Sequence, residues 1–197
     1  MVAVTFDDGP DDTSTLAVAD VFSARGTRAS FFMVGSAIEA RPELARAIAY
    51  RGDVVGNHSY RHSRRDWLVP DYPELAKAER VFAKVLGRCP AFFRPPYGLH
   101  DPSMANEVES RGMRTVTWDV SAADWTTKNP AVVAHRVLAH VKAGSIILLH
   151  DGLDGKVHAD RSVLVGALPR ILDGLKAKGL QPVRLDELLN KPGYLPC

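Results

Sequence analysis

The run Gly144-Ser-Ile-Ile-Leu-Leu-His150-Asp151 decides how the rest of the chain is read. Four consecutive apolar residues without polar alternation suit a parallel strand buried on both faces, and Ser30-Phe-Phe-Met-Val34 repeats the pattern. Gly144 belongs to a set with Gly26, Gly52, Gly87, Gly112 and Gly179. Each of the six follows a helix-like segment and precedes a strand-like one, and most have a cation close by, as at a helix C-terminus. The strands predicted are residues 2–6, 28–34, 53–58, 91–94, 114–119, 145–150 and 181–185. Amphipathic stretches such as 73–86 and 129–141 lie between them, with Pro42 and Pro130 near helix starts. This alternation of strand and helix means a parallel α/β domain. Periodicity leaves a closed barrel and an open doubly wound sheet equally available. No glycine-rich phosphate loop follows the first strand, so a nucleotide-binding fold loses weight.

The 197 residues correspond to about one domain at roughly 150 residues each. A composition that is 46% hydrophobic and 24% charged describes an ordinary globular protein and argues against disorder. The balance of 25 Lys+Arg against 23 Asp+Glu, without basic runs, leaves no nucleic-acid footprint. The longest uncharged, mostly apolar stretch, residues 29–38, is about half of a membrane span, so none is expected. Residues 2–6 already read as a strand, so no signal peptide is expected; the abrupt start suits a mature domain or one cut from a longer chain. Cys89 and Cys197 make neither a disulfide framework nor a thiolate zinc site. One bridge between them would tie down the C-terminus, although spacing alone does not bring them together.

The reactive side chains gather where the strands end. The clusters are Thr5-Phe-Asp7-Asp8-Gly9-Pro10, Asn57-His58-Ser-Tyr-Arg-His62, Arg94-Pro-Pro-Tyr97-Gly98, the stretch from Asp119 to Asp124-Trp125, and Leu148-Leu-His150-Asp151. All five fall at strand C-termini, the face on which barrel and open-sheet enzymes build their active sites. Asp7-Asp8-Gly9-Pro10 alone reads as a turn, but adjacent carboxylates straight after a buried strand perturb each other and are odd for a plain turn. His58 and His62 lie four apart, so one helical turn would put both imidazoles on one side. Ser59 stands where a zinc peptidase motif would have glutamate, which disfavours peptidase chemistry. An arginine between Phe93 and two prolines suggests a fixed carboxylate partner for Arg94. His135, His140 and His158 read as solvated. Two imidazoles and one carboxylate make a three-ligand site open to water and substrate, as in hydrolytic zinc enzymes, and equally in ferrous oxygenases. A second carboxylate would serve as general base, His150 would protonate a leaving group, and Asp124 would orient it. Which of Asp7 and Asp8 is the ligand stays open at this level.

In this order the five motifs resemble those of the polysaccharide deacetylases, carbohydrate esterase family 4, also known as the NodB homology domain. The resemblance implies a distorted (β/α)7 barrel of parallel strands, with residues 1–197 forming a single catalytic domain. It implies that Asp8, His58 and His62 hold one divalent metal, zinc or in some members cobalt or nickel. Asp7 would be the catalytic base held by Arg94, and His150 the catalytic acid paired with Asp124. The metal and the Tyr97 backbone N–H would stabilise the oxyanion, and Trp125 and Leu148 would line the pocket for the acetyl methyl. The activity implied is hydrolytic N-deacetylation of an N-acetylglucosamine polymer, chitin, its oligomers or peptidoglycan, releasing acetate and leaving a free amine. Alternatives are an O-acetyl esterase on acetylated xylan with the same machinery, and a non-catalytic carbohydrate-binding protein on this scaffold. A metal-dependent phosphoesterase would want a second metal or more cations than Arg94 offers. The partner implied is the acetylated glycan, the state a monomer, and the location extracellular or at the cell surface. Two loops are expected to shape substrate choice. Residues 64–72 would bring Trp67 or Tyr72 to the cleft, and residues 152–161, with Asp154, Lys156, His158 and Asp160, would form a further wall.

Overall fold

The computed structural model describes residues 1–65, 72–99 and 101–197. In chain order its strands are β1 (Val2–Asp7), β2 (Ser30–Met33), β3 (Val54–Asn57), β4 (Cys89–Pro90), β5 (Phe92–Phe93), β6 (Arg114–Thr115), β7 (Val120–Ser121), β8 (Ile146–His150), β9 (Pro182–Val183) and β10 (Tyr194–Leu195). The helices are α1 (Thr15–Ser23), α2 (Gly35–Ala40), α3 (Pro42–Tyr50), α4 (Pro73–Leu86), α5 (Pro102–Ser110), α6 (Pro130–His140), α7 (Ser162–Ala177) and α8 (Leu185–Leu189). The main sheet runs β6-β5-β3-β2-β1-β8-β7 with every pairing parallel, and β9 lies parallel to the start of β1. The predicted strands all appear, most of them shorter than expected. β4 and β10, which were not predicted, form a separate antiparallel ribbon.

One predicted strand is divided. Residues 114–119 were expected to be one strand, but only 114–115 form one (β6); β7 begins at Val120, and the two lie at opposite edges of the sheet. The Val116 N–H donates to Phe93 O at 2.8 Å, and the Asp119 N–H donates to Ile146 O at 3.2 Å. A single run of chain therefore changes partner from β5 to β8. Accumulated strand twist has brought those edges together, and the partner change is why the strand breaks. The result is the distorted, single-domain barrel with its helices outside.

Helix boundaries follow the chemistry read from the sequence. α4 covers the predicted residues 73–86 and buries Leu75, Ala78, Val81 and Phe82 on one face. It ends at Gly87 with φ +67°, a left-handed cap that any β-carbon would strain. The other five punctuating glycines also have positive φ. α6 starts where the Asn129 side chain accepts from the Ala131 N–H. β1 is buried along its whole length, and Phe6 stacks on Phe31 (5.3 Å) and meets Phe22 edge-on (5.7 Å). Cys89 and Cys197 form a disulfide with Cα atoms 5.1 Å apart, closing a separation of 108 residues. By loop entropy, a closure of that order stabilises by roughly 4–5 kcal/mol through the unfolded chain. Because the sheet strands are parallel, their C-terminal ends open on one face, and the five clusters meet there.

Candidate active site

Asp7 is the last residue of β1 and is buried. Its Oδ1 accepts from Arg94 Nη1 at 2.7 Å, and the same nitrogen donates to Thr5 Oγ1 at 2.7 Å. Arg94 follows β5 and is wholly enclosed, with its guanidinium 4.1 Å above the Phe32 ring. Burial pulls its pKa down and the Asp7 charge opposes that, and a guanidinium keeps its proton at neutral pH. The fixed carboxylate partner inferred for Arg94 is therefore Asp7. Removing either member would leave a buried charge unpaired, at a cost of about 3–5 kcal/mol.

Asp8 leaves the strand with φ +80°, and this turns its carboxylate toward two imidazoles. Its Oδ1 lies 3.4 Å from His58 Nε2 and 3.2 Å from His62 Nε2. The two histidines do not share a helical turn, as had been expected. Ser59 (φ +66°) and His62 (φ +55°) fold a loop beyond β3 that brings the ring centroids to 4.9 Å. His58 Nδ1 donates to the Arg94 carbonyl at 2.7 Å, so its Nε2 faces Asp8.

These three buried residues can hold a metal. Ligand atoms about 2.0–2.1 Å from a tetrahedral zinc stand roughly 3.3 Å apart, and the spacings here are 3.2 and 3.4 Å. Asp8 Oδ1 is buried and accepts no hydrogen bond among the described residues, the condition of an oxygen reserved for a cation. Burial pushes the Asp8 carboxyl up, but His58, His62 and His150 outweigh it and leave the group below the usual carboxylate range. Burial and the charge of His58 pull His62 down, toward the neutral form a ligand needs. His58 is lifted by Asp7 and Asp8 against the effect of its own burial.

A residue that the sequence marked only as loop wall braces this group. Asp154 Oδ1 lies 3.0 Å from His62 Nδ1, and the Asp154 N–H donates to Asp8 Oδ2 at 3.0 Å. One residue thus touches two of the three metal-ligand candidates from behind. Its approach depends on Gly152, where a β-carbon would stand 2.5 Å from the Asp8 backbone carbonyl. The sequence placed Asp154 in a polar loop, but its partners were not legible there.

Across the cleft, His150 ends β8 and pairs in register with Asp7. Its Nδ1 lies 3.0 Å from Asp124 Oδ1, leaving Nε2 as the second ring nitrogen. Burial lowers the pKa of His150, but the hydrogen bond and charge of Asp124, with the charges of Asp8 and Asp7, more than offset this and raise it. Asp124 opens a short 3-10 turn (Asp124–Thr126) after left-handed Ala123 and is fully enclosed. Its Oδ2 also pairs with Arg161 Nη2, a partner nothing in the sequence announced.

The cleft between these groups has a volume of about 460 Å³. Tyr97 (φ +60°) lies in a 3-10 turn whose two hydrogen bonds come from the N–H groups of Gly98 and Leu99, so its own N–H is not spent on the turn. The Tyr97 ring tilts against His62 at 4.5 Å and carries Arg64 over its face at 4.2 Å. Half-exposed Trp125 meets His150 edge-on at 4.8 Å, and Leu148 is buried in the wall. Trp118 also lines the cleft and was missed from sequence. Trp67 lies outside the described residues. Tyr72 is buried, with its hydroxyl 2.6 Å from Ser103 Oγ, and so is a packing residue that does not line the cleft. His135 and His140 are exposed, and His158, also exposed, pairs with Asp12 at 2.9 Å.

A curled parallel sheet with this set of candidate metal ligands and an opposed Asp–His pair defines a class of hydrolase scaffold, and the comparisons identify it. The family model described as polysaccharide deacetylase matches residues 1–116, and the chain belongs to that family. A peptidoglycan-N-acetylglucosamine deacetylase of Bacillus cereus is 33% identical over 96% of this chain and 88% of its own length. A chitooligosaccharide deacetylase of Azorhizobium caulinodans is 30% identical, with 92% of each chain covered. The chain spans only 38% of the length of the peptidoglycan-N-acetylglucosamine deacetylase PgdA of Listeria monocytogenes, to which it is 31% identical over 95% of its own length. The crystal structure of the Bc1960 peptidoglycan N-acetylglucosamine deacetylase superposes with a TM-score of 0.90 at 31% identity, covering 98% of this chain and 90% of that one. No helix among the described residues is long and apolar enough to cross a membrane.

Proposed function

We propose that residues 1–197 act as one monomeric catalytic domain that hydrolyses the N-acetyl group of N-acetylglucosamine in a polysaccharide, peptidoglycan or a chitin-type oligomer. The observation that carries the proposal is the facing arrangement of two devices across one cleft. Asp8, His58 and His62 converge on one side, and the Asp124–His150 pair lies opposite, with Asp7 between them.

Asp8, His58 and His62 would hold one divalent metal, zinc, or cobalt or nickel, as the family resemblance implies. When bound, the metal would supply Lewis acidity toward the acetyl carbonyl and toward water. Asp7, fixed through Oδ1 by Arg94, keeps Oδ2 to take a proton from the attacking water. The Tyr97 N–H would donate to the oxygen that gains charge, an interaction worth on the order of 3 kcal/mol. His150 would pass the proton on Nε2 to the departing nitrogen. An amide needs that proton far more than an ester does, so the Asp124–His150 pair favours N-deacetylation over ester cleavage. Trp125 presents exposed aromatic surface on which a sugar ring can stack, with Leu148 against the acetyl methyl. The Cys89–Cys197 disulfide supports work outside the reducing cytoplasm, where such glycans lie.

The test is acetate release from chitooligosaccharide, peptidoglycan and acetylated xylan by enzyme stripped with chelator and resupplied with zinc or cobalt. Metal-restored release from the two N-acetyl substrates is expected. Release from xylan alone would replace this reading by the esterase, and release from none, with metal bound, would replace it by a binding role.

A further inference from the structure

Asp124 has more partners than the proposed mechanism uses. Its Oδ1 faces His150 Nδ1 at 3.0 Å, and its Oδ2 accepts from the His150 backbone N–H at 3.2 Å and pairs with Arg161 Nη2. Arg161 then returns to the same histidine, with Nε donating to the His150 carbonyl at 3.0 Å. The contacts form a closed ring of three residues, drawn from the turn after β7, the end of β8 and the start of α7. The Arg161 side chain is 10% exposed and that of Asp124 is 0% exposed.

We propose that Arg161 is a positioning residue for the catalytic acid, holding Asp124 and the His150 main chain so that the imidazole stays aimed at the departing nitrogen. This rests on the amide-hydrolysis reading above. Two physical arguments support it. An Asp–His pair with a single contact can swivel about the carboxylate bond, whereas the planar guanidinium fork fixes both the carboxylate and the backbone beside it. The second concerns charge. As the C–N bond breaks, its electron pair stays on nitrogen and takes the proton from His150 Nε2, leaving a neutral imidazole. Asp124 would then be a buried carboxylate without a counter-ion, were Arg161 not paired with its other oxygen. Among the described residues the other charges acting most strongly on His150 are Asp8 and Asp7 from the β1 end, both acidic, and neither can supply that compensation.

The experiment compares two leaving groups on metal-loaded enzyme. Chitooligosaccharide requires a protonated nitrogen to leave, while 4-nitrophenyl acetate releases a phenolate that needs no proton. In R161M, kcat on the oligosaccharide is expected to fall about 30- to 100-fold with KM changed less than about 3-fold, and kcat on the aryl ester to fall less than about 5-fold. R161K keeps the charge but loses the fork, so it should recover part of the amide turnover; it also serves if R161M does not fold. Metal content, measured in parallel, should match the parent protein. Equal losses on both substrates, a change in KM alone, or undiminished amide turnover in both variants would overturn the inference. A parent enzyme that cleaves the aryl ester but no amide would instead overturn the underlying reading.

Discussion

The two sides of the cleft are built differently. On the metal-ligand side, Asp8, His58 and His62 are aimed chiefly by main-chain conformation, with positive φ at Asp8, Ser59 and His62 and a histidine nitrogen tied to a backbone carbonyl. On the acid side, His150, Asp124 and Arg161 come from three separate segments and are joined through side chains. Backbone-set geometry survives the loss of a neighbouring side chain, whereas a ring of ion pairs opens when one member goes. The first side therefore depends on its own residues and their support, and the second on each partner in turn.

The comparison breaks most visibly at the proposed metal ligands. H58A should lower acetate release by at least about 1000-fold and should lose metal in step, read by elemental analysis after gel filtration. Activity retained at full metal content would mean that the three residues are not the site. Next in size is H150A, where turnover should fall at least about 100-fold while metal stays bound. Loss of metal in that variant would mean that the two sides are not separable. D154A should weaken metal affinity about 10- to 100-fold, because it removes the carboxylate behind His62 while leaving the three ligand candidates in place. Competition with a chelating dye measures it, and an unchanged Kd would reduce Asp154 to loop wall.

The smallest expected effect is a shift in pH dependence. Burial pulls His150 down, and Asp124, helped by Asp8 and Asp7, more than offsets this, so the folded protein holds the imidazolium to higher pH than a free imidazole. The protonated form is the proposed acid, so activity should persist below this raised pKa and decline as pH rises through it. The alkaline limb of kcat/KM should therefore fall above about pH 6.5, the ordinary imidazole value. D124N should move the limb toward acid. A limb that stays in place would assign it to another group.

Much of this was legible before any coordinates. Near-continuous apolar runs at Ser30-Phe-Phe-Met-Val34 and Ser145-Ile-Ile-Leu-Leu149 announce buried parallel strands, because only a strand covered on both faces dispenses with polar alternation. Glycines after helices announce left-handed caps, because a β-carbon is strained there. Strand-end clusters of Asp, His and Arg could be read as one site, because parallel strands open on one face. These are local properties, carried by residues a few positions apart.

Other features depend on long-range geometry. Residues 114–119 look like one strand, and only barrel closure, which sends their hydrogen bonds first to β5 and then to β8, divides them. The four-residue spacing of His58 and His62 suggests a helical turn, yet a left-handed loop after β3 sets the pair. Asp154 and Arg161 stand in a polar loop with nothing nearby to mark them. Their partners are Asp8, 146 residues away, and Asp124, 37 residues away, and those distances close only when β1, β8 and the turn after β7 are packed side by side. The sequence by itself determined which chemical groups the strand ends carry; the tertiary structure decided which of them touch, because a side chain's neighbours across a barrel follow from sheet order and closure, not from position in the chain.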